Sequence, residues 1–97
     1  MNSAYIIANV NVTDPVQYEQ YRQLSTAAIK QAQAQVLVRG GATEALEGQA
    51  PNRTVILKFP SMAAAREFYD SAPYRQARKA RENAAEMTMY LVEGATP

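Results

Sequence analysis

Residues Ala4–Val12 read AYIIANVNV, and both sides of the segment carry apolar side chains. The even positions Ile6, Ala8, Val10 and Val12 are all apolar, while the odd positions Tyr5, Ile7, Asn9 and Asn11 are mixed. Met87–Val92 repeats the theme, with Met87, Met89 and Leu91 on one side and Thr88, Tyr90 and Val92 on the other. A period of two marks strands. An antiparallel sheet with one wet face shows a cleaner alternation of apolar and polar positions. Both faces are therefore expected to be covered. A chain this short has few helices for the task, so a second copy of the protein is the expected cover.

The remaining elements follow from caps and breakers. Asp14-Pro15 opens a helix that runs to about Gln33. Asp14 suits the N-cap, Pro15 the first helical position, and Gln17 the third position of a capping box. Tyr18, Tyr21, Ser25, Ala28, Ile29 and Ala32 recur at three- and four-residue spacing and form one amphipathic face. A second strand, Gln35–Arg39, ends at Gly40-Gly41, a pair that permits positive φ and marks a turn or bulge. Ala42–Glu47 is expected to continue as a bent strand before Gly48, and Gln49–Arg53 reads as a loop. Thr54–Phe59 is the third strand, stopped by Pro60-Ser61. Ser61 caps a second helix with Ala64, Ala65, Phe68 and Tyr69 on one side. Ser71-Ala72-Pro73 breaks that helix and permits another from Pro73 to about Ala84. Glu86–Glu93 is the last strand, followed by a short tail from Gly94.

The order β-α-β-β-α-β predicts an α+β fold: a ferredoxin-like antiparallel sheet of four strands with the helices on one face. Ninety-seven residues make a single domain over residues 1–97. A chain of this size buries only roughly 60–65% of its unfolded surface, so pairing through the bare sheet face would aid stability.

Composition narrows the chemistry. A net charge of +1 supplies no global field for nucleic acid or an acidic membrane. The chain has no cysteine, hence no disulfide, thiolate nucleophile or Cys-based metal site. It has no histidine either, which removes the commonest general base, the commonest haem ligand and a usual zinc ligand. No cofactor and no metal are expected. The start lacks a signal-peptide pattern and no apolar stretch approaches membrane length, so a cytoplasmic protein is expected.

A string of local motifs carries a family resemblance. Tyr5–Val12 with Thr13-Asp14-Pro15, then Tyr18-x-x-Tyr21, Val38-Arg39-Gly40-Gly41, Leu46-Glu47-Gly48, Phe59-Pro60-Ser61 and Ser71-Ala72-Pro73-Tyr74 together resemble the uncharacterised family called domain of unknown function 1330. The resemblance spans nearly the whole chain. It implies membership of the dimeric α+β-barrel superfamily, in which two ferredoxin-like subunits pack sheet against sheet. That superfamily includes cofactor-free monooxygenases, lactone isomerases, dehydratase-like proteins and haem enzymes. Lacking histidine, this chain departs from the haem branch and from branches that use a His/Asp pair.

Several residues are candidates for chemistry. Asn9 is an amide in an apolar strand; it suits a substrate carbonyl, or a cross-strand hydrogen bond. Arg39 stands beside two glycines that let a ligand approach the backbone, so its guanidinium suits a carboxylate or enolate; its alternative use is an ion pair with Glu44, Glu47 or Asp70. Glu47 is the candidate base, or else a solvated partner of Arg39 or Arg53. Tyr18 and Tyr21 offer a phenol acid and an aromatic wall, and Phe68, Tyr69 and Tyr74 gather around the helix break as a second aromatic group. All five also fit plain core packing. The run Arg75, Arg78, Lys79 and Arg81 reads as a solvated face. TVILKFP lacks the aromatic strand motif of RNA-recognition modules, and no phosphate loop is present.

Two functions follow. One is a cofactor-independent enzyme acting on a small organic acid, phenol or lactone in a pocket between sheet and helices. There Asn9 and Arg39 would stabilise an oxyanion, and Glu47 or a tyrosine would move a proton. The other is a non-catalytic homodimeric module that binds a small ligand or serves in a stress response.

Overall fold

The computed structural model describes residues 2–96. Its elements are β1 (Ala4–Val12), α1 (Pro15–Ala32), β2 (Gln35–Arg39), β3 (Arg53–Phe59), α2 (Met62–Asp70), α3 (Ala72–Ala80) and β4 (Ala85–Glu93). The strands form one antiparallel sheet in the order β2-β3-β1-β4. The molecule measures 39 × 37 × 16 Å, so its thickness is one sheet plus one layer of helices.

The period of two in β1 decides the faces. Ala4, Ile6, Ala8 and Val10 are buried, whereas Tyr5, Ile7 and Asn9 are only half-buried. Leu57 and Phe59 of β3 join the buried side, and Met87, Met89 and Leu91 of β4 pack against it. The helices close this core with Tyr18, Tyr21, Ala28, Ile29, Ala65, Phe68, Tyr74 and Ala77. Each large apolar side chain so buried contributes about 1.5–3 kcal/mol.

The opposite face carries a row across all four strands. Val38 pairs with Ile56, Ile56 with Ile7, and Ile7 with Tyr90. Gln35, Lys58, Tyr5 and Val92 form the next row on one side, and Thr54, Asn9 and Thr88 the next on the other. Among the described residues, no helix covers this face. Tyr90 is 46% exposed and Val92 39% exposed.

The caps account for the helix ends. Asp14 accepts from the Gln17 N–H at 3.1 Å. The Gln17 side chain does not complete a capping box; it donates instead to the carbonyls of Ala80 at 3.0 Å and Glu82 at 2.6 Å. Those bonds, with Thr13 and Asp14 N–H donated to Ala84, tie the start of α1 to the end of α3. α3 stops at Ala80 and not near Ala84 because the chain tightens there: Arg81 and Glu82 N–H bond the carbonyls of Arg78 and Lys79, three residues back, and Asn83 then turns the chain at φ 64°. Ser71 closes α2 and caps α3, accepting from the Tyr74 N–H.

Ala42–Glu47 is not a strand. The segment from Gly41 to Ala50 is irregular and exposed, with Leu46 89% exposed. Gly40 N–H still bonds the Thr54 carbonyl, but no pairing partner lies beyond it. A bent strand there would have no ladder to satisfy its backbone.

Candidate functional site

A bulge in β2 sets the geometry. Val36 pairs with Leu57 on the helix side, yet Val38 pairs with Ile56 on the open side, so Leu37 is the extra residue. A bulge re-aims the side chains that follow it. Arg39 consequently pairs with Val55 and points between sheet and helices. Its Nη2 donates to Thr26 Oγ1 at 2.6 Å and to the Arg22 carbonyl at 3.3 Å. These bonds tie β2 to α1. They take the place of its alternative use, the ion pair with Glu44, Glu47 or Asp70; the ion pairs among the described residues are Arg22–Glu19 and Arg66–Asp70.

Arg53, at the start of β3, faces the same layer, opposite Val10. Gly40 makes room for it. Gly40 has φ 72°, and a Cβ there would collide with the Arg53 guanidinium. The glycine thus serves both a left-handed turn and a close approach.

Under these arginines lies a cleft of about 30 Å³, lined by Tyr18, Tyr21, Tyr74 and Phe68, by Ile6 and Val10 of the sheet, and by Met87 and Met89. Arg22, Arg39 and Arg53 line it too, and no carboxylate does. The space holds one or two water-sized groups. The aromatic rings fill the rest: Tyr18 and Tyr21 centroids are 5.2 Å apart, and Phe68 and Tyr74 4.7 Å apart.

The hydroxyls of Tyr21 and Tyr74 meet at 2.6 Å. Burial pushes both phenols above their usual range, and Tyr18 rises for the same reason. All three are acids that keep their protons at neutral pH. Nearby cations oppose the shift: Arg81 acts on Tyr21 and Tyr74, and Arg53 on Tyr18. The Arg81 guanidinium carbon stands 5.5 Å from the centre of the Tyr21 ring.

The structure therefore brings Arg39, Tyr18, Tyr21, Phe68 and Tyr74 together and leaves three candidates apart. Asn9 is an odd position of β1 and faces the open side, across the sheet from Arg39, with Thr54 Oγ1 3.5 Å from its Oδ1. The grouping of Asn9 and Arg39 in one pocket is corrected accordingly. Glu47 sits in the exposed segment after Gly41, remote from the cleft lining, because that segment leaves the sheet. Tyr69 is outside the lining as well. Its ring lies 4.2 Å under the Arg78 guanidinium, and its hydroxyl accepts from Arg78 at 3.2 Å. Arg53 and Arg81 are residues that sequence reasoning passed over. The signal for Arg53 was its place one residue before an alternating strand. Arg81 was hidden in a basic run.

Among the described residues, no group of three or more His, Cys, Asp or Glu side chains could hold a metal ion. No helix of the described chain is long and apolar enough to cross a membrane.

The profile of a family described as Domain of unknown function (DUF1330) matches residues 3–95. No curated protein matches the chain. Among solved structures, the chain is similar to a protein of unknown function from Rhodopseudomonas palustris, with 20% identity and a TM-score of 0.77 over 99% of this chain and 85% of that one. It is similar to a dimeric protein of unknown function with a ferredoxin-like fold from Bacteroides fragilis, with 12% identity and a TM-score of 0.67 over 97% and 98% of the two chains. It is also similar to SnoaB, a cofactor-independent oxygenase from Streptomyces nogalater, with 11% identity and a TM-score of 0.62 over 100% and 97%. At such identities the likeness establishes the fold, which is ferredoxin-like.

Proposed function

The chain belongs to the family described as Domain of unknown function (DUF1330), and for this member we propose a homodimeric, cofactor-independent enzyme that acts on a small organic acid or phenol in the cleft between sheet and helices. The observation that carries the reading is the Tyr21–Tyr74 hydroxyl pair, buried in a cleft that three arginines line and no carboxylate enters. Protonated phenols and guanidinium groups stabilise negative charge as it develops on a substrate oxygen. The cleft holds acids and cations but no base. It therefore suits a substrate that arrives already ionised, as a carboxylate does at neutral pH and as a phenol does only where its substituents lower its pKa from about 10 to below 7. A fold shared with a cofactor-independent oxygenase supports this class of chemistry by analogy alone.

In this reading Tyr21 and Tyr74 supply the proton, and Arg53 and Arg39 face the anion. Tyr18 and Phe68 wall the cleft. Asn9 belongs to the second part of the proposal, the dimer. The row Val38, Ile56, Ile7 and Tyr90 is apolar and uncovered by the chain's own helices, and a structural neighbour is described as dimeric. A second copy laid on this face would hide the row, with Asn9, Thr54 and Thr88 as its polar margin.

The test is incubation of the metal-stripped protein with ionised phenols and small organic acids in air, reading oxygen uptake and product mass. Turnover without any additive, reduced about a hundredfold or more by Tyr74→Phe, is the expected result. The narrow, base-free cleft favours a second reading, a dimer that binds a small ligand without turning it over. Saturable binding with no product from any compound would establish that reading and remove the enzyme.

A further inference from the structure

We infer that the cleft recognises its guest through a carboxylate group, held by the guanidinium group of Arg53 and by the one proton that the Tyr21–Tyr74 pair leaves over. The inference rests on the cleft being the ligand site, and it deepens that reading by naming what is bound and by which atoms.

Three observations converge on it. Arg53 lines the cleft, and its Nε is buried and has no hydrogen-bond partner. Native proteins seldom strand such donors, and a charged one is the costliest to strand. Two more such atoms, Arg78 Nε and Arg81 Nε, belong to residues outside the cleft lining, Arg78 with its guanidinium packed against Tyr69. Arg53 forms no ion pair among the described residues, and no carboxylate lines the cleft to provide one. The charge balance of the site is left for a guest to complete.

The tyrosines make the same demand. Two phenols carry two hydroxyl protons, and one proton fills the 2.6 Å bond between them. The other faces Met89 Sδ, 3.7 Å from the Tyr74 oxygen. A thioether is a weak acceptor. An oxygen acceptor placed in the cleft would use this proton together with the stranded N–H of Arg53. A carboxylate offers two oxygens and about four lone-pair directions, which suits a planar guanidinium fork and a phenol at once. The 30 Å³ of free space takes the two oxygens of such a group. The body of the guest would extend outward past Arg22, the exposed member of the lining. Gly40 belongs to the device, since its missing side chain is what lets Arg53 lie there.

The experiment titrates the full chain with benzoate and with benzamide, its neutral isostere, by calorimetry and by NMR of the arginine Nε–H groups. Benzoate is expected to bind about tenfold or more tighter than benzamide, and to shift the Arg53 signal. Arg53→Gln should weaken benzoate by about tenfold and leave benzamide unchanged, while Arg53→Lys should rescue in part because it restores charge without the fork. Arg75→Gln, on an exposed face, should change neither. Equal binding of the two compounds, or no benzoate binding at millimolar concentration, would overturn the inference. The comparison of the two compounds needs only the parent protein, so a variant that fails to fold does not blunt it. Turnover of an ionised phenol with no preference for benzoate would leave the enzyme standing and sink the carboxylate site. Tight benzoate binding with no turnover of any compound would do the reverse.

Discussion

The hydroxyl oxygens of Tyr21 and Tyr74 lie 2.6 Å apart and join α1 to α3 inside the layer between sheet and helices. Neither ring is more than 8% exposed, so removing one hydroxyl strands the other away from water. Tyr21→Phe or Tyr74→Phe should each destabilise the fold by about 1–3 kcal/mol. The double variant should cost less than the sum of the two, because it removes donor and acceptor together. A double-mutant cycle by urea denaturation checks this; strictly additive losses would show that the hydroxyls are not coupled.

The same burial sets an alkaline limit. Tyr18, Tyr21 and Tyr74 have folded-state pKa values raised by desolvation, and their unfolded value is near 10. Above that pH the unfolded chain releases protons that the folded chain keeps. The unfolded state then binds fewer protons, so stability falls as pH rises. The contribution of these groups is complete below about pH 10 and drains away above it. Absorbance at the phenolate band during a pH ramp should show three of the six tyrosines ionising only as the fold is lost. Full reversible ionisation of every tyrosine in a still-folded protein would contradict the burial of the pair.

Much of this architecture was legible in the residues. The period of two in Ala4–Val12, the Asp14-Pro15 start and the Ser71-Ala72-Pro73 break each report a local preference, and the elements form where they indicate. The two faces of the sheet were legible for the same reason, since alternation alone assigns them. The site was harder to read because it depends on register and on pairing at a distance. Without the bulge at Leu37, Arg39 would face the open side, and no feature of QVLVR announces an extra residue. Asn9 stood out as an amide among apolar neighbours, but its odd position already placed it across the sheet from Ile6 and Val10. Arg81 looked like one more solvated cation, because its contact with Tyr21 spans sixty positions of sequence and arises only when α1 packs on α3.

Gly40 and Gly41 stand side by side and should respond differently to the same change. Gly40 has φ 72° and the Arg53 guanidinium where a Cβ would go, whereas Gly41 has open space around it. Gly40→Ala should cost about 1–2 kcal/mol from its backbone conformation alone, and should push Arg53 from the cleft. Gly41→Ala should be near neutral. In a domain of this size each kcal/mol lowers Tm by about 4–8 °C, which calorimetry resolves. Equal behaviour of the two variants would mean that the Gly40 backbone, and with it the placing of Arg53, is not held as described.

The uncovered sheet face makes the last prediction. Ile7 sits at the middle of the row from Val38 to Tyr90, flanked by Ile56 and Tyr90 on the neighbouring strands. A second copy on this face would bury Ile7 near the centre of the contact, where an unpaired charge is least tolerated. Light scattering of the parent protein at micromolar concentration should give the mass of two chains. Ile7→Lys and Tyr90→Lys should give the mass of one, with the strand and helix content unchanged by circular dichroism, because both side chains point away from the chain's own core. Leu46→Lys provides the control: Leu46 is more exposed than either, but it lies in the irregular segment off the sheet, so it should leave the pairing intact. A parent protein that stays monomeric would refute the paired assembly. So would lysine variants that stay dimeric, since the contact would then lie on another surface.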